Sequence, residues 1–327
     1  MNFTQIPPRY APLGGELRYA VEDTVADDID IYISGPGSTP LYGTLRFAAS
    51  QAASFDIAPF LRSRLGFEPV VRGTGFHAAT GRTVSAMVVA GRPGTLPDGA
   101  QATTSAQPFL AGCRAVEAPA LCTTFPLQRL IPEGSSDELT ILAPDSGTVK
   151  ATVTARRTDT AAARNYTSES GGPVLFVLDT RDFSGAEQLT VAIEGIATVE
   201  YTVVPAAQQL VRVAWRSSAG SVEQYGFPVE RTRSLQVEKL RATSPEGHVA
   251  VTRGCEVRRT LVSAYETEGL LAALSEVLAA PEVWIVGEEA CTPVDVLTDT
   301  ATLRRLGSLC NLEIEIRERA NTPKPWN

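Results

Sequence analysis

The chain has 327 residues, 43% of them apolar and 20% charged, which is the balance of a folded protein with two or three domains. Its net charge of −8, with no basic run, argues against nucleic-acid binding, which needs a clustered positive surface. The first residues lack the charged start and apolar run of a signal peptide, and no apolar stretch reaches the about 18 residues of a membrane span. We therefore expect a protein that is made and folded in the cytoplasm.

Residues 1–108 are predicted to form an N-terminal β-sandwich domain. Segment 28–33 alternates as a strand does, with three isoleucines on one face and polar side chains on the other. The isoleucines are Ile29, Ile31 and Ile33; the opposite face carries Asp28, Asp30 and Tyr32. A short helical turn follows, with apolar side chains pointing inward at Phe55, Ile57, Phe60 and Leu61. Residues 83–91 are apolar enough to form a central strand.

Residues 109–205 are predicted to form a second β-sandwich domain. The segment ELTILAPDSGTVKATVTARR (138–157) alternates as two strands around a Pro-Asp-Ser-Gly turn. Further strands are predicted in GGPVLFVLDT, QLTVAIEG and TVEYTVVP. Strands that recur every eight to twelve residues or so, with turn signals between them, are typical of a sandwich.

Residues 206–327 are predicted to form a C-terminal α+β domain that opens with the hairpin VRVAWRSSAGSVEQYGFPVE (211–230). A three-residue loop, with Gly220 in the left-handed conformation, pairs Ser217 with Ser221 and Trp215 with Glu223. This register places one apolar set on a single face: Val211, Val213, Trp215, Tyr225, Phe227 and Val229. A slip of one residue would turn half of that set to water, so we prefer this register.

The same domain contains the one convincing helix of the sequence, TEGLLAALSEVLAAPE (267–282). Thr267 is a suitable N-cap and Pro281 follows the end. A stripe at helical spacing is formed by Leu270, Leu271, Leu274, Val277 and Leu278. Later strands are predicted in VWIVG, TPVDVLT and NLEIEIRER, the last with Leu312, Ile314 and Ile316 on one face.

The cysteines are five in number and spread along the chain without a C-x-x-C pair: Cys113, Cys122, Cys255, Cys291 and Cys310. An odd count at these spacings argues against a disulfide framework or a zinc site. We interpret them as buried thiols that act as small hydrophobes, although Cys113 and Cys122 could pair across a hairpin if oxidised. No cofactor or metal is expected.

Candidate catalytic residues are few. His77 and His248 are the only histidines, both in turn-like segments, and no G-x-S-x-G motif accompanies them. Paired carboxylates such as Asp28 and Asp30 lie within about 7 Å on any strand face, so we interpret them as a solvated surface. Metal binding by the acidic run that starts at Asp27 is disfavoured because neighbouring strand residues point to opposite faces. We expect no catalytic site.

The tryptophans decide between a core and a sugar-binding platform. Trp215 shares an apolar face with Val213 and Tyr225, and Trp284 lies in a short apolar run. Both patterns are more typical of core residues than of an exposed aromatic platform. The predicted site is therefore a structural hairpin core made of Val213, Trp215, Gly220, Tyr225 and Phe227.

Three segments resemble tail-associated structural proteins encoded by phages and prophages of Bacteroidetes. They are QIPPRYAPLGGELRYAVED with SFDIAPFLRSRL, the segment FLAGCRAVEAPALCTTFPLQRL, and the C-terminal hairpin. The hairpin is similar to their W-x-x-x-x-G-x-x-[DE]-x-[YF]-x-F pattern through Trp215, Gly220, Glu223, Tyr225 and Phe227. A helix, the strand APEVWIV and the strand NLEIEI follow here as they do in that family.

The resemblance implies a non-enzymatic virion subunit, at the baseplate or tail tip, that contacts itself and other tail proteins in a ring or sleeve. Made in the bacterial host cytoplasm, it would be incorporated into the tail without contacting nucleic acid or membrane. A surface adhesin or carbohydrate-binding sandwich is the alternative, with a host-surface glycan as ligand, and a glycoside hydrolase is a third hypothesis that depends only on paired acids.

Overall fold

The computed structural model describes residues 1–144, 147–206, 210–245, 247–301 and 303–319. Strands account for 57% of the chain and helical turns for 9%, which confirms the predicted mainly β class. Five sheets form from the described strands, and three large apolar clusters lie between or against them.

The first region is built around two long strands and one central strand. Its elements are β1 (Asn2–Gln5), β2 (Arg18–Ser34), β3 (Leu41–Asp56), α1 (Ala58–Leu61), β4 (Gly75–Ala78), β5 (Thr83–Gly91), β6 (Ala102–Thr103) and β7 (Gln107–Leu110). Strand β2 pairs with β1, β3 and β5, and β5 also pairs with β6 and β7, so β5 is central as predicted. Ile29, Ile31 and Ile33 are fully buried in the first apolar cluster, which confirms their predicted face.

The second region is a sandwich of two sheets. Its strands are β8 (Ala120–Cys122), β9 (Gln128–Pro132), β10 (Ser136–Ala143), β11 (Val149–Arg157), β12 (Thr160–Ser168), β13 (Gly172–Asp179), β14 (Gln188–Ile193) and β15 (Ala197–Val204). One sheet has the order β4-β13-β10-β8 and the other β12-β11-β14-β15-β9, with the second cluster between them. Strands β10 and β11 form as predicted but lie in different sheets; residues 145 and 146 of their turn lie outside the described residues.

The third region is a seven-stranded sheet covered by one helix. Its elements are β16 (Val211–Arg216), β17 (Val222–Phe227), β18 (Val229–Ser244), β19 (Gly247–Val262), α2 (Glu268–Leu274), β20 (Val283–Val286), β21 (Cys291–Val296), β22 (Arg304–Leu306), β23 (Leu309–Asn311) and β24 (Glu313–Glu318). The sheet order is β17-β16-β20-β21-β24-β19-β18, and β22 pairs with β23 alone. The Thr267 hydroxyl accepts a hydrogen bond from the Leu270 amide at 3.4 Å, so the predicted N-cap is present.

The three apolar clusters lie largely within the predicted ranges 1–108, 109–205 and 206–327. Phe109 and Phe125 of the second range lie in the first and third clusters, and strand β4 belongs to the first range in sequence but pairs with β13 of the second. A sheet of the middle region is thus completed from outside it. The boundaries at 108 and 205 stay a prediction.

Candidate interaction surface

The predicted hairpin has the predicted register. Strands β16 and β17 pair Trp215 with Glu223, Val213 with Tyr225 and Val211 with Phe227. The Ser217 amide donates to the Ser221 carbonyl at 2.9 Å, which closes the three-residue loop, and Gly220 has φ +80°. Trp215 is 0% exposed, so it is a core residue. The register and the burial of Trp215 are those that the sequence predicts, and a purely structural role for the hairpin core stays a prediction.

Two details of that hairpin differ from the prediction. Val229 was predicted to extend the apolar face, but it follows Pro228 and begins β18, where it is 45% exposed. The opposite face was expected in water, yet Arg212, Ala214 and Gln224 are buried there. They are covered because that face packs against the loop at Ala111 and against β10.

A buried polar junction lies where the hairpin meets the sandwich. The Arg129 guanidinium donates to Asp137 at 2.8 Å and lies 3.4 Å from the Glu223 carboxylate, and Tyr201 donates to Asp137 at 2.9 Å. Arg212 donates to the Gln224 side chain at 3.0 Å and lies 3.5 Å from Asp137. Buried charges need such partners because isolated ones are costly to desolvate. The junction ties the second region to the third.

The pKa values in this junction follow from burial and charge. Burial raises the pKa of the Glu223 carboxyl, against the effect of Arg129 and of hydrogen bonds from Thr123 and Ser221. Burial alone would lower the pKa of Arg129, but the carboxylates of Glu223 and Asp137 raise it above its usual value. Arg129 is therefore held as a cation between two acids.

The tip of the hairpin packs closely against the backbone at the start of the second region. The Cys113 amide donates to the Ser218 carbonyl at 2.7 Å. A Cβ placed on Gly220 would lie 1.6 Å from the Ala111 carbonyl oxygen, closer than any real contact. Gly220 therefore serves two needs, the left-handed turn and the close backbone approach. The sequence predicted only the first.

Strands β18 and β19 form an arm, residues 229–262, that the sequence analysis did not identify. They pair along their whole length, from Val229 with Val262 to Ser244 with Gly247. In the described sheet, β19 pairs with β24 only over Arg258–Val262. The remainder is a two-stranded ribbon that extends beyond the point where the pairing with β24 stops. Its length is about 33 Å, at about 3.3 Å for each of the residues 235–244.

The arm carries large apolar side chains in water. Leu235 is 63% exposed and Leu240 is 47% exposed, and Val237 and Cys255 are also exposed. Leu235 pairs with Val257, and Val237 pairs with Cys255, so these four side chains lie together on one face of the ribbon. An exposed apolar face of this kind is a candidate contact surface. The sequence feature that could have indicated the arm is the turn-forming segment SPEG at 244–247, with a stretch of similar length on either side that can pair as a hairpin.

The candidate catalytic residues are scattered. His77 and His248 were predicted in turns, but they lie in β4 and β19 because both segments find pairing partners. The His77 Nε2 atom lies 2.9 Å from the Gly73 carbonyl oxygen; the side chain of His248 is outside the described part of the structure. Among the residues described, no group of three or more His, Cys, Asp or Glu could hold a metal ion.

The carboxylates of β2 correct another expectation. Asp30 was interpreted as solvated, but it is buried, and Arg46 across the strand pair donates to both of its oxygens at 2.6 and 2.8 Å. These bonds from Arg46 lower the pKa of Asp30. Asp28 instead accepts a hydrogen bond from the Ala49 amide at 2.9 Å. The two acids therefore serve the β2–β3 pairing.

The cysteines are all free, so Cys113 and Cys122 are not paired. Cys122 and Cys310 are buried, as predicted, and burial raises the pKa of Cys122 to about 11. Cys113 and Cys255 are exposed, which contradicts the prediction, because one lies on the surface loop before β8 and the other on the arm.

No protein-family model matches the chain, and no curated protein matches it. Among solved structures, a marsupial T cell receptor matches 97% of this chain and 91% of that chain at 9% identity, with a TM-score of 0.17. Similarity at this level carries no argument about fold or function. Within the described ranges, none of the helices has the length and apolar character that crossing a membrane requires.

Proposed function

We propose that the chain is a non-enzymatic structural subunit that acts by protein–protein assembly in the tail of a phage or prophage, at the baseplate or tip. The arm at residues 229–262 is the observation that supports assembly. An isolated two-stranded ribbon is marginally stable in water, and this one exposes Leu235, Val237 and Leu240. A partner that covers these side chains would stabilise the ribbon by removing apolar surface from water.

The buried junction also supports a structural role. Four charged side chains form ion pairs with each other between the second and third regions, namely Arg129, Asp137, Arg212 and Glu223. Such groups hold neighbouring elements in one arrangement, because separating them would leave buried charges unpaired. These ion pairs therefore hold the second region and the third region, from which the arm extends, in one arrangement.

The adhesin alternative gains no support from the tryptophans that could have formed a platform. Trp215 and Trp284 are both buried, in the third and fourth apolar clusters. Sugar binding through an aromatic face needs such rings to be exposed. The tail role itself depends on the sequence resemblance of the N-terminal, middle and hairpin segments.

The proposal is tested by locating the chain in particles. A tagged copy would be expressed from the phage or prophage that encodes it, and particles would be labelled with gold and viewed by electron microscopy. We expect label on the tail, at the baseplate or tip, and tail genes such as the tape measure beside this gene. Particles without label, from a locus without tail genes, would overturn the proposal.

A further inference from the structure

The apolar patch on the arm is bordered by cations. Leu235, Val237, Cys255 and Val257 lie together on one face at the base of the ribbon. On that same face Arg233 precedes the patch, and Lys239 and Arg241 follow it; all three are exposed. A surface that matches this face must be apolar at its centre and acidic at its edges.

The charge of the arm differs in sign from the rest of the chain. Residues 229–262 contain seven Arg and Lys against four Asp and Glu, a net charge of +3. Because the whole chain carries −8, the residues outside the arm carry −11. Two arms therefore repel each other, whereas the arm of one copy and the body of another attract.

One exposed apolar residue of the body has the matching acidic setting. Val25 is 55% exposed, and four carboxylates lie within three residues of it, namely Glu22, Asp23, Asp27 and Asp28. Among the described residues, three cations face this group: Arg92 pairs with Asp23 and lies 3.5 Å from Asp27, the amino terminus lies 3.7 Å from Asp23, and Arg46, which is bound to Asp30, also acts on Asp28. With Asp30 counted, five acids against three cations leave a net charge of −2.

The paired strand adds small apolar side chains to this surface. Ala48, Ala49 and Ala52 of β3 are exposed, and Ala52 pairs with Glu22. Small side chains allow a close approach of another strand or ribbon. We call the surface formed by residues 22–28 and 48–52 the acidic bulge, since the β2–β3 register shifts there.

We propose that the arm of one copy docks on the acidic bulge of a second copy. This inference deepens the proposed function by naming a partner for the arm. The contact joins two different surfaces, so it is heterologous and repeats around a ring or along an open stack. An arm-to-arm contact would instead close a two-fold dimer, which the like charges disfavour.

Charge reversal with mixing tests the docking. Full-length wild type would be compared by sedimentation velocity with an arm variant, Arg233→Glu/Arg241→Glu, and a bulge variant, Glu22→Arg/Asp27→Arg. A control matched to the arm variant, Arg114→Glu/Arg305→Glu, makes the same change of net charge, −4, at exposed residues of the loop before β8 and of β22. Circular dichroism would show that each variant folds.

The expected pattern is specific to a heterologous contact. Wild type and the control assemble beyond the 34.8 kDa monomer, and each reversed variant alone associates at least about tenfold more weakly. An equal mixture of the two reversed variants regains assembly, because each reversed arm then meets a reversed bulge. Association should weaken in 1 M salt, where the screening length falls to about 3 Å.

Three results would overturn the docking: a wild type that stays monomeric, an arm variant that assembles as wild type does, or a mixture that does not recover. None of them bears on whether labelled tails carry the chain. A labelled tail together with one of these results would remove the arm-to-bulge contact and keep the tail role. Unlabelled particles with full recovery in the mixture would do the reverse.

Discussion

Gly220→Ala tests the close contact between the hairpin tip and the backbone at Ala111. Gly220 has φ +80° and its Cβ would lie 1.6 Å from the Ala111 carbonyl oxygen, a backbone atom that can move only with its neighbours. Gly195 is a matched control, since it has φ +70° in the loop between β14 and β15 and nothing within 4 Å of an added Cβ.

The expected loss in free energy of unfolding differs between the two glycine positions. The left-handed conformation costs an alanine about 1–2 kcal/mol at either site. At Gly220 the forced contact adds about 1–3 kcal/mol of overpacking, so the total is about 2–5 kcal/mol. Gly220→Ala should therefore lower the free energy of unfolding more than Gly195→Ala does.

Urea unfolding, followed by tryptophan fluorescence, would measure both variants against wild type. Trp215 lies in the hairpin itself, so the probe reports on the affected region. Equal losses at the two glycines would refute the close approach of the hairpin tip to Ala111, because only the turn conformation would then matter.

Three further predictions concern the core and the charges. Trp215→Ala should cost about 3–5 kcal/mol in urea unfolding, since the ring is fully buried; an unchanged midpoint would contradict this. Arg129→Met should lower the free energy of unfolding by about 3–5 kcal/mol, because it leaves two buried carboxylates without their cation. Adding Glu223→Gln should recover part of this loss, and no recovery would argue against the pairing of Arg129 with Glu223. The pKa of Asp30 is lowered in the folded state, so its ion pair stabilises the fold above about pH 4 and is lost as the pH falls through the lower folded value. In thermal scans, Asp30→Asn should be less stable than wild type at pH 7, and the difference should shrink in acid; a constant difference would count against the assignment.

Local patterns were enough to predict the hairpin, the last strand and the start of helix α2, although the α-helix ends at Leu274 and a 3-10 segment follows over Ser275–Ala279. The register followed from which pairing keeps Val213, Trp215 and Tyr225 on one face, and from a glycine at the single position that needs φ above zero. Both signals lie within about twenty residues of sequence and need no knowledge of distant contacts.

The junction and the arm could not be predicted in the same way. Charged residues on strands, such as Glu223 and Asp30, suggest a solvated face until the partner that buries them is known. Arg129 and Glu223 are 94 positions apart, so sequence spacing does not reveal their contact. Strand β18 alternates weakly because its side chains are exposed on both faces from Arg231 to Thr243, which removes the usual apolar signal.

Hydrogen–deuterium exchange of the wild-type chain at two concentrations tests the central claim, that this protein acts through contacts made by its arm. Between about 1 and 100 µM, mass action should drive assembly and slow the exchange of amides in residues 229–244 and in the acidic bulge together. The protection should disappear in high salt. Arm amides that exchange at one rate across this range, with a bulge that is equally unchanged, would contradict the account.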